Sequence, residues 1–323
     1  MKKDNVFYIK KIVDKKIDDD SKRVYTQSIV DETKKEIKKL SDDDFCEVMI
    51  GCFIPDTYKD QGKKEKLYTK LAELMVGEWW HRMGGKYKLP TKKSGTEDVE
   101  MIYDNKSIVC DVKIFRLGRS QKAPNVKDFL KLASVQTWIA NLNKRYKNEG
   151  KTQIVLGGLV TYSSLHEWEQ DSEVYLECSN KKTSVVMLPY EIMTLLLKYK
   201  GSYTLTDFLD MWDYKKIKMR NSTKKKLYWD TIESFLRGLL NIDNNKYNEE
   251  INKLHQEILE AKDEYTKLIT DEMAAIKKNI SDEVNKYSNI DELKVYAIEK
   301  VDSYKNAKNR DYIDRIGKFR KFD

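Results

Sequence analysis

Histidine, cysteine, proline and glycine are all scarce in this chain, with 3, 4, 4 and 13 occurrences among 323 residues. Three scattered histidines leave few candidates for a histidine-based metal site or a serine triad. The four cysteines are widely separated, which predicts reduced, buried thiols rather than a disulfide framework. Few prolines and glycines argue against a flexible linker between domains. Any catalysis should therefore use carboxylates and lysines.

Long hydrophobic runs are also missing. No stretch approaches the ~18 uncharged apolar residues that a membrane-spanning helix needs, so we expect no membrane partner. Residues 1–16 carry charges where a signal peptide needs its apolar segment, which predicts a cytoplasmic location. Hydrophobic residues make up 40% of the chain and charged residues 35%, a balance typical of a soluble globular protein.

Positive charge exceeds negative charge in this chain. It contains 61 lysines and arginines against 53 acidic residues, which gives a net charge of +8. The excess favours an anionic partner such as nucleic acid. It is modest, and lysine-rich genomes also encode basic proteins that bind no nucleic acid, so charge alone leaves both possibilities open.

The middle of the chain alternates strands and helices, whereas both ends predict helices. A hairpin is predicted over 97–116, with its turn at Asp104 and Asn105, and further strands begin at Gln153 and Ser184. No strand signal follows 205. We therefore expect an α/β (α+β) fold with a mixed β-sheet flanked by helices. Helices are predicted over 28–40, after the N-cap Ser41, over 64–80, 127–147 and 247–280, and from Pro189.

Two of these helices carry a further prediction. In 247–280 the apolar residues approximate a heptad seam, which predicts packing on neighbouring helices of the same chain or, alternatively, a dimer contact. In 127–147 an apolar stripe at helical spacing predicts the buried face. That face would carry Phe129, Leu132, Ala133, Gln136, Ile139 and Leu142.

The strand predicted around Asp111 combines apolar alternation with two charges. Asp111 and Lys113 should point to the same face, so a carboxylate and an amine lie side by side on a half-buried strand. Burying such a pair costs desolvation, which is tolerated chiefly where the two form a structural ion pair or where a site needs both. Asp98 precedes Asp111 at hairpin distance, so two aspartates and one lysine should converge.

This set of side chains suits hydrolysis of a phosphodiester. Asp98 and Asp111 could hold Mg²⁺, which binds a phosphate oxygen and acidifies a water molecule, while Lys113 orients that water and offsets transition-state charge. The acid-x-lysine spacing alone is a weak signal, because it recurs as solvated charge at Glu32 and Glu260, for example. The pair of Asp111 and Lys113 differs because it lies in a strand where apolar residues alternate along the sequence.

A loop rich in cations and amides, the basic loop (residues 116–131), follows this strand. Such side chains contact phosphates, guanine and adenine in a DNA groove, although an ordinary solvated loop is the alternative. The adjacent candidate Mg²⁺ site favours the DNA-contacting interpretation. We expect Asn125 and Lys127 to contact bases and Arg116 and Lys131 to contact phosphates. The candidate DNA-binding residues are Arg116, Arg119, Gln121, Lys122, Asn125, Lys127 and Lys131.

Three short segments, EDV at 97–99, CDVKIFRL at 110–117 and KDF at 127–129, together resemble the HindIII-type restriction endonucleases. The resemblance extends over most of the chain from about residue 45. It implies the PD-D/E-x-K nuclease fold and a Mg²⁺-dependent homodimer that cuts double-stranded DNA at a palindrome, which is AAGCTT for this type. Carried over residue by residue, it makes Asp98 and Asp111 the two metal-binding acids and Lys113 the catalytic lysine. Asp128 would be an additional acid beside the site, with Glu65 as a further catalytic candidate.

Combined with the predicted elements, the resemblance divides the chain into three regions. These are an N-terminal helical region (1–62), a nuclease core with the basic loop (63–200) and a helical C-terminal region (201–323), which could also form one continuous domain. Two other functions stay open. A repair nuclease of the same superfamily would attack ends or structures, and a non-catalytic DNA-binding helical protein would use Asp111 and Lys113 as a structural ion pair.

Overall fold

A computed structural model describes residues 1–17, 25–90, 96–285 and 291–319. Its strands form one five-stranded sheet in sequence order, in which the first three strands pair antiparallel and the last three pair parallel. The mixed sheet and its flanking helices confirm the predicted fold class. The strands are Lys86–Lys88 (β1), Val99–Tyr103 (β2), Lys106–Val112 (β3), Ile154–Tyr162 (β4) and Val185–Pro189 (β5).

Helices precede, interrupt and follow the sheet, and no strand follows β5 in the part of the chain that is described. Short 3-10 turns lie at Asp56–Asp60, Leu165–Glu167 and Asp210–Trp212, and a π-helical turn lies at Val126–Leu130. The α-helices are Lys3–Val6 (α1), Tyr8–Lys16 (α2), Thr26–Ile37 (α3), Asp42–Ile50 (α4), Gly62–Arg82 (α5), Leu132–Asn148 (α6), Glu173–Ser179 (α7), Tyr190–Lys198 (α8), Leu205–Leu209 (α9), Tyr214–Ile217 (α10), Lys225–Leu240 (α11), Asn244–Val284 (α12) and Asp291–Gly317 (α13).

The predicted hairpin is confirmed as β2 and β3. Its turn uses Asp104 in the left-handed conformation, with a φ of 48°, which aspartate adopts more readily than most residues. The pairing register sets Val99 opposite Cys110, and the N–H of Asp98 donates to the Cys110 carbonyl at 2.9 Å. This register brings Asp98 level with the end of β3, where Asp111 lies.

The parallel strands place their carboxyl ends at one edge of the sheet. Asp111 pairs in register with Val160 of β4, and the N–H of Lys113 donates to the Thr161 carbonyl at 2.9 Å. At Gly158 of β4, a Cβ atom would lie 2.4 Å from a methyl carbon of Val135 on α6. The missing side chain therefore lets α6 pack closely on the sheet.

Helix α5 is buried on nearly all sides, because it contacts both the N-terminal helices and strands β1, β2 and β3. The indole N–H of Trp79 donates to the Met193 carbonyl at 2.6 Å, and that of Trp80 donates to the Ile102 carbonyl at 3.1 Å. These long-range bonds fix α5 against α8 and the hairpin. As a result, one side of α5 faces the end of β3.

The long helix α12 packs within its own chain. It contacts α13, α8, α4 and α1, and the hydroxyl of Tyr265 donates to the Phe53 carbonyl at 2.9 Å. Buried residues from Val6 to Ile316 belong to one hydrophobic core, so α12 and α13 are joined to the same core as the sheet. The intrachain packing predicted for the heptad seam is therefore present.

The predicted continuous helix over 127–147 was wrong. The segment begins as a π-helical turn, Lys131 then adopts a left-handed conformation with a φ of 46°, and α6 begins only at Leu132. This break rotates the following residues, so Ala133 and Gln136 of the predicted face are exposed. The residues that α6 buries are Val135, Trp138, Leu142 and Tyr146.

All four cysteines are buried and free of disulfides, as predicted. Burial raises the pKa of both Cys46 and Cys52 to about 12, so neither thiol ionises near neutral pH. No helix in the described ranges is both long and apolar enough to cross a membrane.

Candidate active site

Asp98, Asp111 and Lys113 lie together at the carboxyl end of β3. The Lys113 ammonium lies 2.7 Å from Oδ2 of Asp111, and Oδ2 of Asp98 accepts a hydrogen bond from the Val112 N–H at 2.9 Å. Asp111 is only 3% exposed. Apart from the ion pair, its Oδ2 has no hydrogen-bond partner among the described residues. The hairpin thus presents two acids and one amine, and the Lys113 ammonium lies against the buried Oδ2 of Asp111.

Burial and repulsion between like charges shift the pKa values of Asp98 and Lys113. Burial, followed by repulsion from Asp111, raises the pKa of Asp98 to about 6. Burial also lowers the pKa of Lys113, against the opposing attraction of Asp111, and the nearby Lys131 ammonium lowers it further. The charged forms of these side chains are therefore under-solvated, which is typical of active sites and also of buried ion-pair networks.

A third acid, Glu73 of α5, joins this group and was missed in the sequence. It is 3% exposed, and both its carboxylate oxygens accept hydrogen bonds from the Lys70 ammonium, at 2.6 and 2.8 Å. Burial and repulsion from Asp98, with a smaller repulsion from Asp111, raise its pKa to about 7. An acid within an otherwise apolar stretch of a helix was the available signal, because Ala72 and Leu74 on either side are fully buried.

Glu65 and Asp128, the two other predicted catalytic acids, contact residues outside the group of Asp98, Asp111 and Lys113. Glu65, in the first turn of α5, forms an ion pair with Arg116 at 2.7 Å, and both line a cleft of about 300 Å³. Asp128 is exposed in the π-helical turn, where its N–H donates to Oδ1 of Asn125 at 2.6 Å. The structure records no contact from either carboxylate to Asp98 or Asp111 within the described ranges.

The basic loop is folded back on the protein in its first half. The Arg119 guanidinium lies 3.8 Å from the ring centre of Phe115 and 4.7 Å from that of Trp168, and it donates to Gln121 at 2.6 Å. The side-chain amide of Gln121 in turn donates to the Ala123 carbonyl at 2.8 Å. These contacts hold Arg119 and Gln121 in place instead of leaving them extended into solvent.

The second half of the basic loop is more open. Lys122, Lys127 and Lys131 are exposed, and Lys131 lies close enough to Lys113 to affect its pKa. The side-chain oxygen of Asn125 caps the π-helical turn. Because the cap uses this oxygen as an acceptor, the amide nitrogen is the group left to contact a base. The structure thus places one exposed cation of the loop, Lys131, near Lys113 and the acids.

Two buried acids, a third acid and an amine at the edge of a sheet could orient a metal ion and a phosphate. No cluster of three histidine, cysteine, aspartate or glutamate side chains in the described residues is arranged to hold a metal unaided. Mg²⁺, however, is commonly held by one or two carboxylates together with water and substrate phosphates. The pair of Asp98 and Asp111 fits that requirement, since the two carboxylates lie close enough for Asp111 to raise the pKa of Asp98 by repulsion.

The family model of the HindIII restriction endonuclease matches residues 6–304. The chain belongs to the HindIII restriction endonuclease family. It is therefore a site-specific deoxyribonuclease that binds DNA, of a family that generally uses a divalent metal ion. Among solved structures, the small subunit (R.BspD6I2) of the heterodimeric restriction endonuclease R.BspD6I is similar, at a TM-score of 0.34 and 14% identity over 57% of this chain and 97% of that chain. The chain matches no curated protein.

Proposed function

We propose that this member of the HindIII family is a Mg²⁺-dependent type II restriction endonuclease that cuts both strands of a palindrome as a homodimer. The observation that carries the proposal is the buried Asp111, which pairs with Lys113 and lies beside Asp98 and Glu73. The recognition sequence we propose is AAGCTT, the target that the sequence resemblance implies. Because DNA is the substrate, we propose the cytoplasm as the place of action.

Asp98 and Asp111 would hold the metal ion, with Glu73 as a third acid close by. Burial, followed by mutual repulsion, raises the pKa of Asp98 and Glu73, and a bound cation would offset both effects by stabilising the ionised carboxylates. When bound, Mg²⁺ supplies a Lewis acid for the phosphate and lowers the pKa of a bound water molecule. The Val112 N–H holds the Asp98 carboxylate in its orientation while this occurs.

Lys113 would offset negative charge on the phosphate that is attacked. Its ammonium is buried beside Asp111, so it is poorly hydrated and acts through a low local dielectric. Because its pKa is lowered, Lys113 also releases its proton more readily than a surface lysine does. Lys131, at the end of the basic loop, adds positive charge at the same edge of the sheet.

A homodimer follows from the geometry of the proposed substrate. Each subunit contributes one group of acids at one sheet edge, and a palindrome presents two equivalent phosphodiester bonds. Two copies related by a two-fold axis would place one active site on each strand. The basic loop of each copy would then contact one half of the palindrome.

Digestion of a plasmid of known sequence tests this proposal. With Mg²⁺ we expect discrete fragments whose sequenced ends share one palindrome, and light scattering of the DNA complex should give two subunits per duplex. Progressive loss from the ends would indicate a repair-type nuclease. Retention of intact supercoiled DNA would indicate a DNA-binding protein without nuclease activity, and one subunit per duplex would contradict the homodimer.

A further inference from the structure

Residues 215–226, the basic segment, carry seven cations and no acid in twelve positions. The segment runs from α10 to the first turn of α11. Three of the seven are engaged: Lys216 pairs with Asp210, Lys224 pairs with Asp171, and Lys225 donates to a carbonyl. The other four are exposed and form no ion pair with any residue that the structure describes: Lys215, Lys218, Arg220 and Lys226.

The basic segment packs against the β4–α7 loop (residues 163–172). The Lys225 ammonium donates to the Trp168 carbonyl at 2.6 Å, and the Thr223 carbonyl accepts from the Ser172 N–H at 3.0 Å. Asp171 accepts from the Lys225 N–H at 2.9 Å and pairs with Lys224 at 2.8 Å. Backbone and side-chain contacts therefore both fix the segment to this loop.

The β4–α7 loop in turn supports the basic loop. The N–H groups of Glu169 and Gln170 both donate to the Lys122 carbonyl, at 2.8 and 3.0 Å, and the Ser172 hydroxyl donates to the Pro124 carbonyl at 2.6 Å. The basic segment is thus joined through one intervening loop to the loop expected to contact DNA. Its exposed cations form a second positive region, separated from the basic loop by the β4–α7 loop with its exposed Glu169 and Asp171.

Local contacts account for Lys216, Lys224 and Lys225, but not for the four exposed cations without an ion pair among the described residues. Lys226 lies in the first turn of α11, where the helix dipole disfavours cations, and the Asp171 carboxylate at this helix end pairs with Lys224 and accepts from the Lys225 N–H. Lys218 adopts a left-handed conformation, with a φ of 56°, that lysine rarely adopts. It lines a cleft of about 580 Å³ together with Lys216, Arg220 and one acid, Asp230. An anion bound here would relieve the repulsion between Lys218 and Arg220, because lysine and arginine both bind phosphate.

We propose that the basic segment binds the phosphate backbone of DNA that flanks the recognition sequence. Exposed lysines bind phosphates as point charges and read no bases, so the contact adds affinity without sequence preference. The inference rests on the proposed function in one respect, namely that the basic loop faces the recognition sequence. The segment then contacts the duplex beyond that sequence, on the side of the β4–α7 loop.

The test compares two triple variants that remove equal charge. The first, Lys218→Asn, Arg220→Gln and Lys226→Gln, neutralises the basic segment, and asparagine is chosen at 218 because it tolerates the left-handed conformation. The matched control neutralises exposed lysines that form no ion pair with any described residue and lie near the amino ends of the parallel strands, at the opposite edge of the sheet. Its substitutions are Lys144→Gln, Lys147→Gln and Lys182→Gln.

Binding is measured by fluorescence anisotropy with Ca²⁺, on a labelled duplex of about 30 base pairs centred on the mapped site. Three lost phosphate contacts should reduce the slope of log K against log salt by roughly 2.7. Between 50 and 200 mM salt, the ratio of wild-type to variant affinity should therefore fall about 40-fold. The control should keep most of the wild-type slope, and a duplex of about 10 base pairs, without flanks, should remove the difference.

Three other outcomes would contradict the inference, and each can be distinguished from the rest. A slope equal to that of the control shows that the segment does not bind DNA. Loss of discrimination between the site and random sequence shows base contacts, and loss of the dimer in light scattering shows a subunit contact. Melting followed by circular dichroism tests whether the variants are folded. A double variant that keeps the charge, Arg220→Lys with Lys226→Arg, should keep the wild-type slope of log K against log salt. Failure of the proposed function is seen separately, because the wild-type protein would then cut no palindrome.

Discussion

Replacing Asp98 with asparagine should stabilise the metal-free protein while it removes cleavage. Burial and repulsion from Asp111 raise the pKa of Asp98 from 3.8 to about 6, so its ionised form opposes folding. An acid whose pKa is raised in the folded state contributes most stability below its unfolded pKa and loses that contribution as pH rises toward the folded pKa. The penalty is therefore absent near pH 3 and complete above about pH 7.

The size of the effect follows from the shift. Two pKa units correspond to roughly 3 kcal/mol, which is an upper limit because Asp98 is partly exposed. The shift already includes the hydrogen bond that the Asp98 carboxylate accepts from the Val112 N–H. An asparagine oxygen can still accept that hydrogen bond. We therefore expect a gain of about 1 to 3 kcal/mol at pH 8, or an increase in melting temperature of about 2 to 6 °C.

Thermal and urea unfolding in EDTA, at pH 8 and pH 4, measure this difference. The matched control is Asp263→Asn on α12, since that side chain is 76% exposed and should change stability little. Added Mg²⁺ should stabilise the wild type and not the Asp98 variant, because the metal binds only the intact pair of acids. A variant that is less stable than the wild type in EDTA at pH 8 would refute the electrostatic reasoning.

Three further outcomes follow from the same site. Lys113→Met should lower the single-turnover cleavage rate by about 100-fold or more with DNA binding in Ca²⁺ preserved, and an unchanged rate would reduce Lys113 to a packing role. Glu73→Gln should shift cleavage to a higher Mg²⁺ concentration, whereas an unchanged Mg²⁺ dependence would make Glu73 only the partner of Lys70. At limiting Mg²⁺, wild-type cleavage should rise between pH 5.5 and pH 8, as acids with pKa values of about 6 and about 7 ionise, and a flat profile would contradict the assigned pKa shifts.

The hairpin was predictable because its signals are local. The alternation of apolar residues indicates which residues of β3 share a face. The turn at Asp104 determines which residues of β2 and β3 pair with each other. Together these give the proximity of Asp98 and Asp111 and the side-by-side placement of Asp111 and Lys113. No information from distant parts of the chain was needed.

The missed features depend on contacts between distant segments. Glu73 joins the acids because α5 is held against α8 and the hairpin by tryptophan bonds that span 114 and 22 residues. The left-handed Lys131 interrupts a segment whose composition favours a helix throughout. His166 and His255, 89 residues apart, meet with their Nε2 atoms at 3.1 Å, which spacing along the sequence could not indicate.

The most direct test of the central claim is single-turnover cleavage of a plasmid by Asp111→Asn. This substitution keeps the size of the side chain and removes the charge beside Lys113. The account predicts no detectable cleavage with Mg²⁺, together with wild-type affinity for the mapped site in Ca²⁺, because the carboxylate acts on the transition state more than on DNA binding. Cleavage at a rate close to that of the wild type would show that the active site lies elsewhere.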